Sequence, residues 1–394
     1  MDITPELLSY IWDHREEDVR RLALNHPPFG KNDFIVALNA IQAHQKLQTK
    51  WQEWAKNPQV FIPESVIVEQ SSNPETAIYK TRFIRSPHSI VLDLSGGMGA
   101  DSYAFSQYCD AVIYLEANDN RVQIARHNFF SLGINNITCH TGRAENEGVE
   151  LAKNYQPDLI FIDPDRRAYK NVRTFFLNES SPDVTTLIPR LLNVSPHSEL
   201  LIKLSPMLDI SYLEDALPYI FDLHIVSLHR DAKELLLHIY PHEKPKIVSL
   251  ELQRDITFTC TSDPSLPPEI IPFSPEVGAY IYDLYPAFAK VGYPSLQLGY
   301  PVWQPAQNTH LYFSHQYLPD FPGRVFRVIE RNTKGKKWLK QIARTPLHLI
   351  TKNIHTTTDT FRKTWHIQEG GERFLLVYGS SDGNNAMVLS EAIR

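Results

Sequence analysis

The stretch from Ile90 to Asp101, Ile-Val-Leu-Asp-Leu-Ser-Gly-Gly-Met-Gly-Ala-Asp, admits few backbones. A short apolar run without proline, followed by small residues, fits a buried parallel strand that ends in a sharp turn into a helix. Backbone N–H groups meet a ligand at such turns. Glu116 follows Asp93 by 23 residues and closes a second apolar run, Ala111 to Leu115, ahead of a helix-compatible Asp119 to Phe130. An acid at the tip of the next strand of a βαβ unit is placed to accept both hydroxyls of a ribose, so the pattern fits a nucleoside cofactor. Gly97 and Gly99 lack the third glycine of a pyrophosphate fingerprint. That weighs against a dinucleotide site; a purely structural turn is the other rival reading.

Strand and helix patterns alternate from this stretch onward: Val91 to Leu94, a helix from Ala100, Val112 to Leu115, a helix from Asp119, Ile137 to Cys139, and Leu159 to Ile162. A helix over Pro182 to Val194, a fifth strand from Glu199, and strands at Phe221 to Leu228 and Leu235 to Tyr240 bring the count to seven. This is a doubly wound α/β signature, a Rossmann-like seven-stranded core. Before it, Ile3 to Lys56 reads as helical, with Asn32 or Asp33 as a cap and Trp51 and Trp54 as core anchors. Ser71 or Ser72 is expected to cap a helix that runs to Arg82. After it come five prolines within Asp263 to Pro275, a helical Gly278 to Lys290, and a compact α/β tail. The expected division is an N-terminal helical domain over 1–62, the α/β core over 63–262, and small α+β modules over 263–320 and 321–394.

Charge is unevenly distributed. Residues 321–394 hold 13 Lys and Arg against 6 Asp and Glu, a net of +7 that leaves −13 on the rest of a chain whose total is −6. Such asymmetry points to a basic module that meets a polyanion, with Lys334, Lys336, Lys337, Lys340 and Arg344 as phosphate-contact candidates; a merely solvated basic face is the alternative. Three widely spaced cysteines suit reduced thiols, and no apolar run approaches the ~18 residues of a membrane span, so a cytoplasmic, soluble protein is expected. His238 and His242 straddle Pro241 in strand-like surroundings, and no metal site is expected.

Several of these runs together resemble bacterial class I S-adenosylmethionine-dependent methyltransferases with a C-terminal THUMP-like domain, of the Bacteroidetes type with a small ferredoxin-like module inserted. They are Glu69-Gln-Ser-Ser, Ala77-Ile-Tyr-Lys80, Asp93 to Asp101, Tyr114-Leu-Glu-Ala-Asn118, Asp163-Pro-Asp-Arg-Arg167, Ile202 to Asp209 and Lys233-Glu-Leu235. The resemblance implies S-adenosylmethionine as cofactor and, through the kinship of THUMP-like with RNA-binding THUMP domains, tRNA or rRNA as partner. Mapped onto this chain, it gives Asp93, Ser95, Gly97, Met98, Gly99, Asp101, Glu116, Ala117, Asn118, Ala144 and Asp163 as cofactor-binding. Two departures stand out: Ser95 replaces the usual first glycine, and Arg143 sits where many relatives carry an acid near adenine.

The chemistry is expected at the tip of the fourth strand, where open α/β sheets bind ligands and where Asp163, Asp165, Arg166 and Arg167 gather. Asp163 and Asp165 are expected to orient or deprotonate the acceptor, and the arginines to clamp a phosphate or fix the acids. Lys203 lies forty residues after Asp163 and is delivered to the same edge. The pair is similar to part of the Lys-Asp-Lys-Glu set of ribose 2′-O-methyltransferases, with no first lysine placed; a lysine whose pKa burial lowers can act as a base. Two rival functions are a non-catalytic RNA-binding or assembly factor that keeps the fold, and a small-molecule methyltransferase.

Overall fold

The computed structural model describes residues 3–393 apart from 25–27, 167–176, 218, 220, 241–246, 253–255, 261–268, 271–274, 292–299, 308 and 333–334. Arg167, Lys334, His242 and most of the proline-rich stretch fall outside the described residues, as does the side chain of Arg166. The chain forms two compact units, one of residues 1–223 and 233–244, the other of 224–232 and 245–394. This grouping is coarser than the four segments suggested by composition.

In the first unit, β1 (Ile90–Asp93), β2 (Ala111–Glu116), β3 (Ile137–Thr141), β4 (Leu159–Ile162) and β5 (Glu199–Leu204) pair in the order β3-β2-β1-β4-β5, all parallel. β6 (Asp222–Leu228) is divided between the units, and β7 (Asp231–Ile239) runs antiparallel to β5. All seven expected strands form. β4 is buried at every position, as a central strand covered on both faces must be, and this is why its sequence is continuously apolar rather than alternating. The order reverses beside β1, which places the carboxyl ends of β1, β2 and β4 around a crevice.

The N-terminal segment is helical, as its three- to four-residue apolar spacing requires: α1 (Pro5–Asp13), α2 (Val19–Leu22), α3 (Lys31–Lys50) and α4 (Gln52–Ala55). Gly30, not Asn32 or Asp33, stands at the start of α3; both predicted caps lie inside its first turn. Trp51 and Trp54 are core anchors, packed with Val68, Ala77, Ala100 and Ala104. The buried Asn128 side chain of α8 (Asp119–Ser131) exchanges hydrogen bonds of 2.8 and 2.9 Å with the Phe61 backbone, which ties the end of the helical segment to the α/β core.

Two short helices, α5 (Ser65–Gln70) and α6 (Pro74–Lys80), precede β1, and α7 (Ala100–Ser106) follows its turn. Neither Ser71 nor Ser72 caps α6, which starts at Asn73 with Pro74 in its first turn. The Ser71 hydroxyl turns back to the Val68 carbonyl, while that of Ser72 is drawn to a buried carboxylate. The remaining helices are α9 (Val149–Tyr155), α10 (Val184–Val194), capped by Asp183, and α11 (Ile210–Ala216).

The second unit holds the antiparallel pair β8 (Ile247–Glu251) and β9 (Ile256–Cys260) and an eight-stranded sheet. The sheet strands are β10 (Glu269–Ile270), β11 (Tyr280–Leu284), β12 (Trp303–Gln304), β13 (Leu311–Ser314), β14 (Gly323–Arg331), β15 (His348–Lys352), β16 (Arg373–Gly379) and β17 (Asn385–Ala392). Their order is β10-β12-β13-β11-β14-β17-β16-β15, so strands from both sides of residue 320 share one sheet. The helix expected over Gly278 to Lys290 is confined to α12 (Pro286–Val291). Tyr280–Leu284 instead pairs on both edges, because an alternating β-branched and aromatic run satisfies a central strand and Pro286 suits only a helix start. Two further helices, α13 (Lys336–Ile342) and α14 (Thr358–Trp365), pack Trp338, Leu339 and Phe361 onto Leu375 and Val377. Among the described residues, no helix is long and apolar enough to cross a membrane.

Candidate active site

At the carboxyl ends of β1, β2 and β4 lies a cavity of about 320 Å³ within the first unit, a volume suited to a small ligand. One part of its lining is the glycine turn. Gly97 and Gly99 have φ of +53° and +87°, where side-chain-bearing residues are strained. Gly96 is required for a different reason: a Cβ there would lie 2.2 Å from the Tyr114 ring. The Tyr114 hydroxyl donates to the Gly97 carbonyl at 2.8 Å, fixing the turn from below.

Glu116, at the tip of β2, accepts from the N–H of Gly97 at 3.1 Å and from that of Asn118 at 2.8 Å, one on each carboxylate oxygen. Its carboxylate is thereby locked onto the cavity with lone pairs remaining. Ala117, Ala144, Arg143 and Glu145 extend the lining on this side.

Of the predicted cofactor contacts, Ser95, Gly97, Met98, Asp101, Glu116, Ala117, Ala144 and Asp163 line the cavity, whereas Asp93, Gly99 and Asn118 do not. Asp93 is buried behind the turn. It accepts from the Ser95 N–H, the Ser95 hydroxyl and the Ser102 hydroxyl, and burial pushes its carboxyl up to about 7 against those hydrogen bonds. From this position it holds the turn. Ser95 does more than replace a glycine: its hydroxyl also accepts the Asp163 N–H at 2.6 Å, linking the tips of β1 and β4.

Beside the turn is a network of which the sequence announces only the Asp163–Lys203 pair. Lys80, at the end of α6, is fully buried, with Nζ 3.1 Å from Asp101 Oδ1, 2.9 Å from Glu234 Oε1 and 3.2 Å from both Ser72 Oγ and the Thr76 carbonyl. Ser72 donates to Asp101 Oδ2 at 2.7 Å. Lys203 Nζ lies 2.5 Å from Asp163 Oδ2 and 3.4 Å from Ser72 Oγ. In chain order the charged members include Lys80, Asp163, Lys203 and Glu234, with Lys80 supplied by α6 and Glu234 by β7. Lys80 sits in the Ala77 to Lys80 run, one of the motifs carrying the resemblance, yet nothing local marks a lysine at a helix end as buried.

The electrostatics correct one expectation. Burial alone would lower the Lys203 pKa, but Asp163, Asp101 and Glu234 overcome it and hold the ammonium above the ordinary lysine range. Lys203 is thus a fixed cation and not a neutral base. Asp101 is pushed up by burial yet ends below the usual carboxylate range because Lys80, Lys203 and the Ser72 hydroxyl outweigh it. Glu234 goes the other way, raised by burial beyond what Lys80 and Lys203 offset.

Asp165 and Arg166 form a two-residue ladder with Ser180 and Ser181, so the acidic tip of β4 is braced by backbone pairing. Asp165, Ser181 and Pro182 also line the cavity. In the second unit, Lys336, Lys337 and Lys340 are exposed on α13 and Arg344 just beyond it, while Trp338, Leu339 and Ile342 on the same helix are buried.

The β3-β2-β1-β4-β5 order and a ligand cavity at the strand tips define a methyltransferase-type α/β fold. The chain is similar over its whole length, and over the whole of the other chain, to the crystal structure of a candidate methyltransferase from Porphyromonas gingivalis W83, at 27% identity and a TM-score of 0.84. The sequence profile of a family described as conserved hypothetical protein 95 matches residues 76–176, which contain the glycine turn, Glu116 and Asp163. An rRNA methylase from Streptococcus thermophilus is 13% identical over 44% of this chain and 99% of its own, with a TM-score of 0.32. A candidate methyltransferase from Streptococcus mutans, solved with S-adenosylhomocysteine, is 13% identical over 43% and 98%, with a TM-score of 0.31. No curated protein matches the chain.

Proposed function

We propose that the protein is an S-adenosylmethionine-dependent methyltransferase that acts on RNA, tRNA or rRNA, with the basic helix α13 contacting the RNA backbone. The observation that carries the reading is a single cavity lined by both the Gly97–Glu116 turn and Asp163, which holds Lys203. The residues present fit a methyl-sulfonium nucleoside. Glu116 offers a fixed carboxylate to a ribose diol, the Gly96–Gly97 turn brings backbone without side chains to the cavity wall, and Asp101 presents an anion to an ammonium group.

When bound, that cofactor supplies an electrophilic methyl group. Methyl transfer is an in-line displacement, so the chain's own task is to align donor and acceptor and exclude water. Asp163, joined to β1 through Ser95 and to β5 through Lys203, is the group best placed to meet an acceptor. Lys336, Lys337, Lys340 and Arg344 are exposed and would add phosphate contacts without reading sequence. The likeness to the Porphyromonas gingivalis protein supports the class of reaction, and the charge asymmetry supports a polyanionic partner.

The test is calorimetric titration of S-adenosylmethionine and S-adenosylhomocysteine into the protein and into Glu116→Ala. Binding in the micromolar range, roughly −8 kcal/mol, is expected, weakened about 100-fold in the variant. Absence of heat with both ligands would remove the reading.

A further inference from the structure

Resting on the assignment of a methyl donor to the cavity and of RNA as partner, we propose that the acceptor is a ribose 2′-hydroxyl oxygen, held between the Lys203 ammonium and the Asp163 carboxylate. Within the charged network these two side chains are the most exposed, ahead of Asp101 at 11%; Asp163 lines the cavity, and Lys203 is paired to it without lining the cavity itself. The Lys203 side chain is 15% exposed and that of Asp163 34%, whereas Lys80 and Glu234 are 0% and 2% exposed. Lys80, Glu234 and Ser72 are positioning residues: they fix Asp101 and the hydroxyl that Lys203 touches, and Lys80 and Glu234 are sealed from any substrate.

The pair selects an acceptor by its inventory of donors and lone pairs. A hydroxyl has one proton and two lone pairs. It can donate to Asp163, accept from Lys203, and still present a lone pair to a methyl carbon. A base amino nitrogen has at most one lone pair, which the ammonium would occupy, and a ring carbon has none to share. Charge argues the same way, since an attacking amine becomes cationic beside a fixed cation, while an attacking oxygen sheds its proton and its developing negative charge is offset. Burial disfavours the Lys203 cation, but three carboxylates keep it charged, as this role requires. In RNA, the free hydroxyl within the chain is the 2′-OH.

In the step, the second lone pair of the oxygen forms the O–C bond as the C–S bond breaks. The bonding electrons go to sulfur, which becomes a neutral thioether, and the hydroxyl proton passes to the Asp163 carboxylate and on to solvent. Lys203 stays protonated throughout.

The experiment incubates the wild-type protein with tritiated S-adenosylmethionine and two RNA pools, total bacterial RNA and unmodified transcripts of tRNA and rRNA, then digests the RNA in alkali. A methylated 2′ oxygen cannot attack the adjacent phosphate, so the label is expected in alkali-resistant dinucleotides. Label in mononucleotides would place the methyl on a base and overturn this inference while leaving the methyltransferase reading intact. Cofactor binding with no label in either pool would overturn it together with the RNA reading. Lys203→Gln is expected to lower transfer at least 100-fold while changing S-adenosylmethionine affinity less than threefold; transfer retained in that variant would also overturn the inference.

Discussion

The glycine turn and the charged network border the same cavity but are built differently. The turn comes from twelve consecutive residues, Ile90 to Asp101, plus Glu116 at the next strand tip, and its shape is set by backbone conformation and the space left by absent side chains. The network draws Ser72, Lys80, Asp101, Asp163, Lys203 and Glu234 from separate elements, and its state is set by the balance of buried charge. Asp101 belongs to both. Local sequence is enough to specify the first; the second exists only after the sheet has assembled, so it should fail in a different way when disturbed.

The largest effect is expected from Lys80→Met. Removing a fully buried cation leaves Asp101 and Glu234 facing one another without it, and breaking a buried pair from one side typically costs about 3–5 kcal/mol. Denaturant unfolding of the variant should show a loss of that size, with weaker cofactor binding as a secondary effect. A loss below about 1 kcal/mol would mean that water reaches the network, and the contrast with the turn would collapse.

The turn makes its own prediction through Asp93, whose carboxyl burial raises to about 7. An acid with a raised folded pKa takes up a proton on folding. Its stabilising contribution is complete below about pH 4 and is lost as pH rises through 7. Asp93→Asn removes that dependence and keeps an acceptor for Ser95. Between pH 5 and pH 8 the variant should gain on the wild-type protein by on the order of 2–3 kcal/mol in unfolding free energy. Parallel pH profiles for the two proteins would show that Asp93 stays ionised and that the turn, like the network, rests on charge.

How much of this was legible in the sequence follows the same division. The seven strands, the turn and Glu116 were readable because each depends on residues near in sequence or on the periodicity of one element, and the pairing of Asp163 with Lys203 because both stand at the tips of adjacent parallel strands. Lys80 and Glu234 were named only inside motifs, since burial of a lysine at the end of α6 depends on Glu234 of β7, 154 residues downstream. Asp93 was expected at the ligand because spacing does not tell which side of a turn a carboxylate faces; its hydrogen bonds to Ser95 and Ser102 turn it inward. The helix expected over Gly278 to Lys290 failed for a related reason, as pairing on both edges by β13 and β14 decided the conformation of Tyr280–Leu284.

The smallest effect tests where the two constructions meet. The segment Gln70–Ser72 lines the cavity and carries the Ser72 hydroxyl that both Lys80 and Lys203 touch. It is held from α3 by Lys50, whose Nζ donates to the carbonyls of Val68 at 2.9 Å, Glu69 at 3.0 Å and Ser71 at 2.5 Å, and by the Trp51 indole N–H, which donates to the Ser72 carbonyl. Lys50→Met keeps the aliphatic stem and removes the donor, so the segment loosens while the core stays packed. Its cofactor affinity should fall about fivefold, about 1 kcal/mol, with little change in unfolding. Burial, helped by Lys203 and Lys233, lowers the Lys50 pKa to about 8, so the charged donor is lost as pH passes from 7 to 9. Wild-type affinity should decline over that range, and the decline should be absent in Lys50→Met. If the variant shows the same decline, the pH response arises within the network itself, and the clamp from α3 is a support for packing alone.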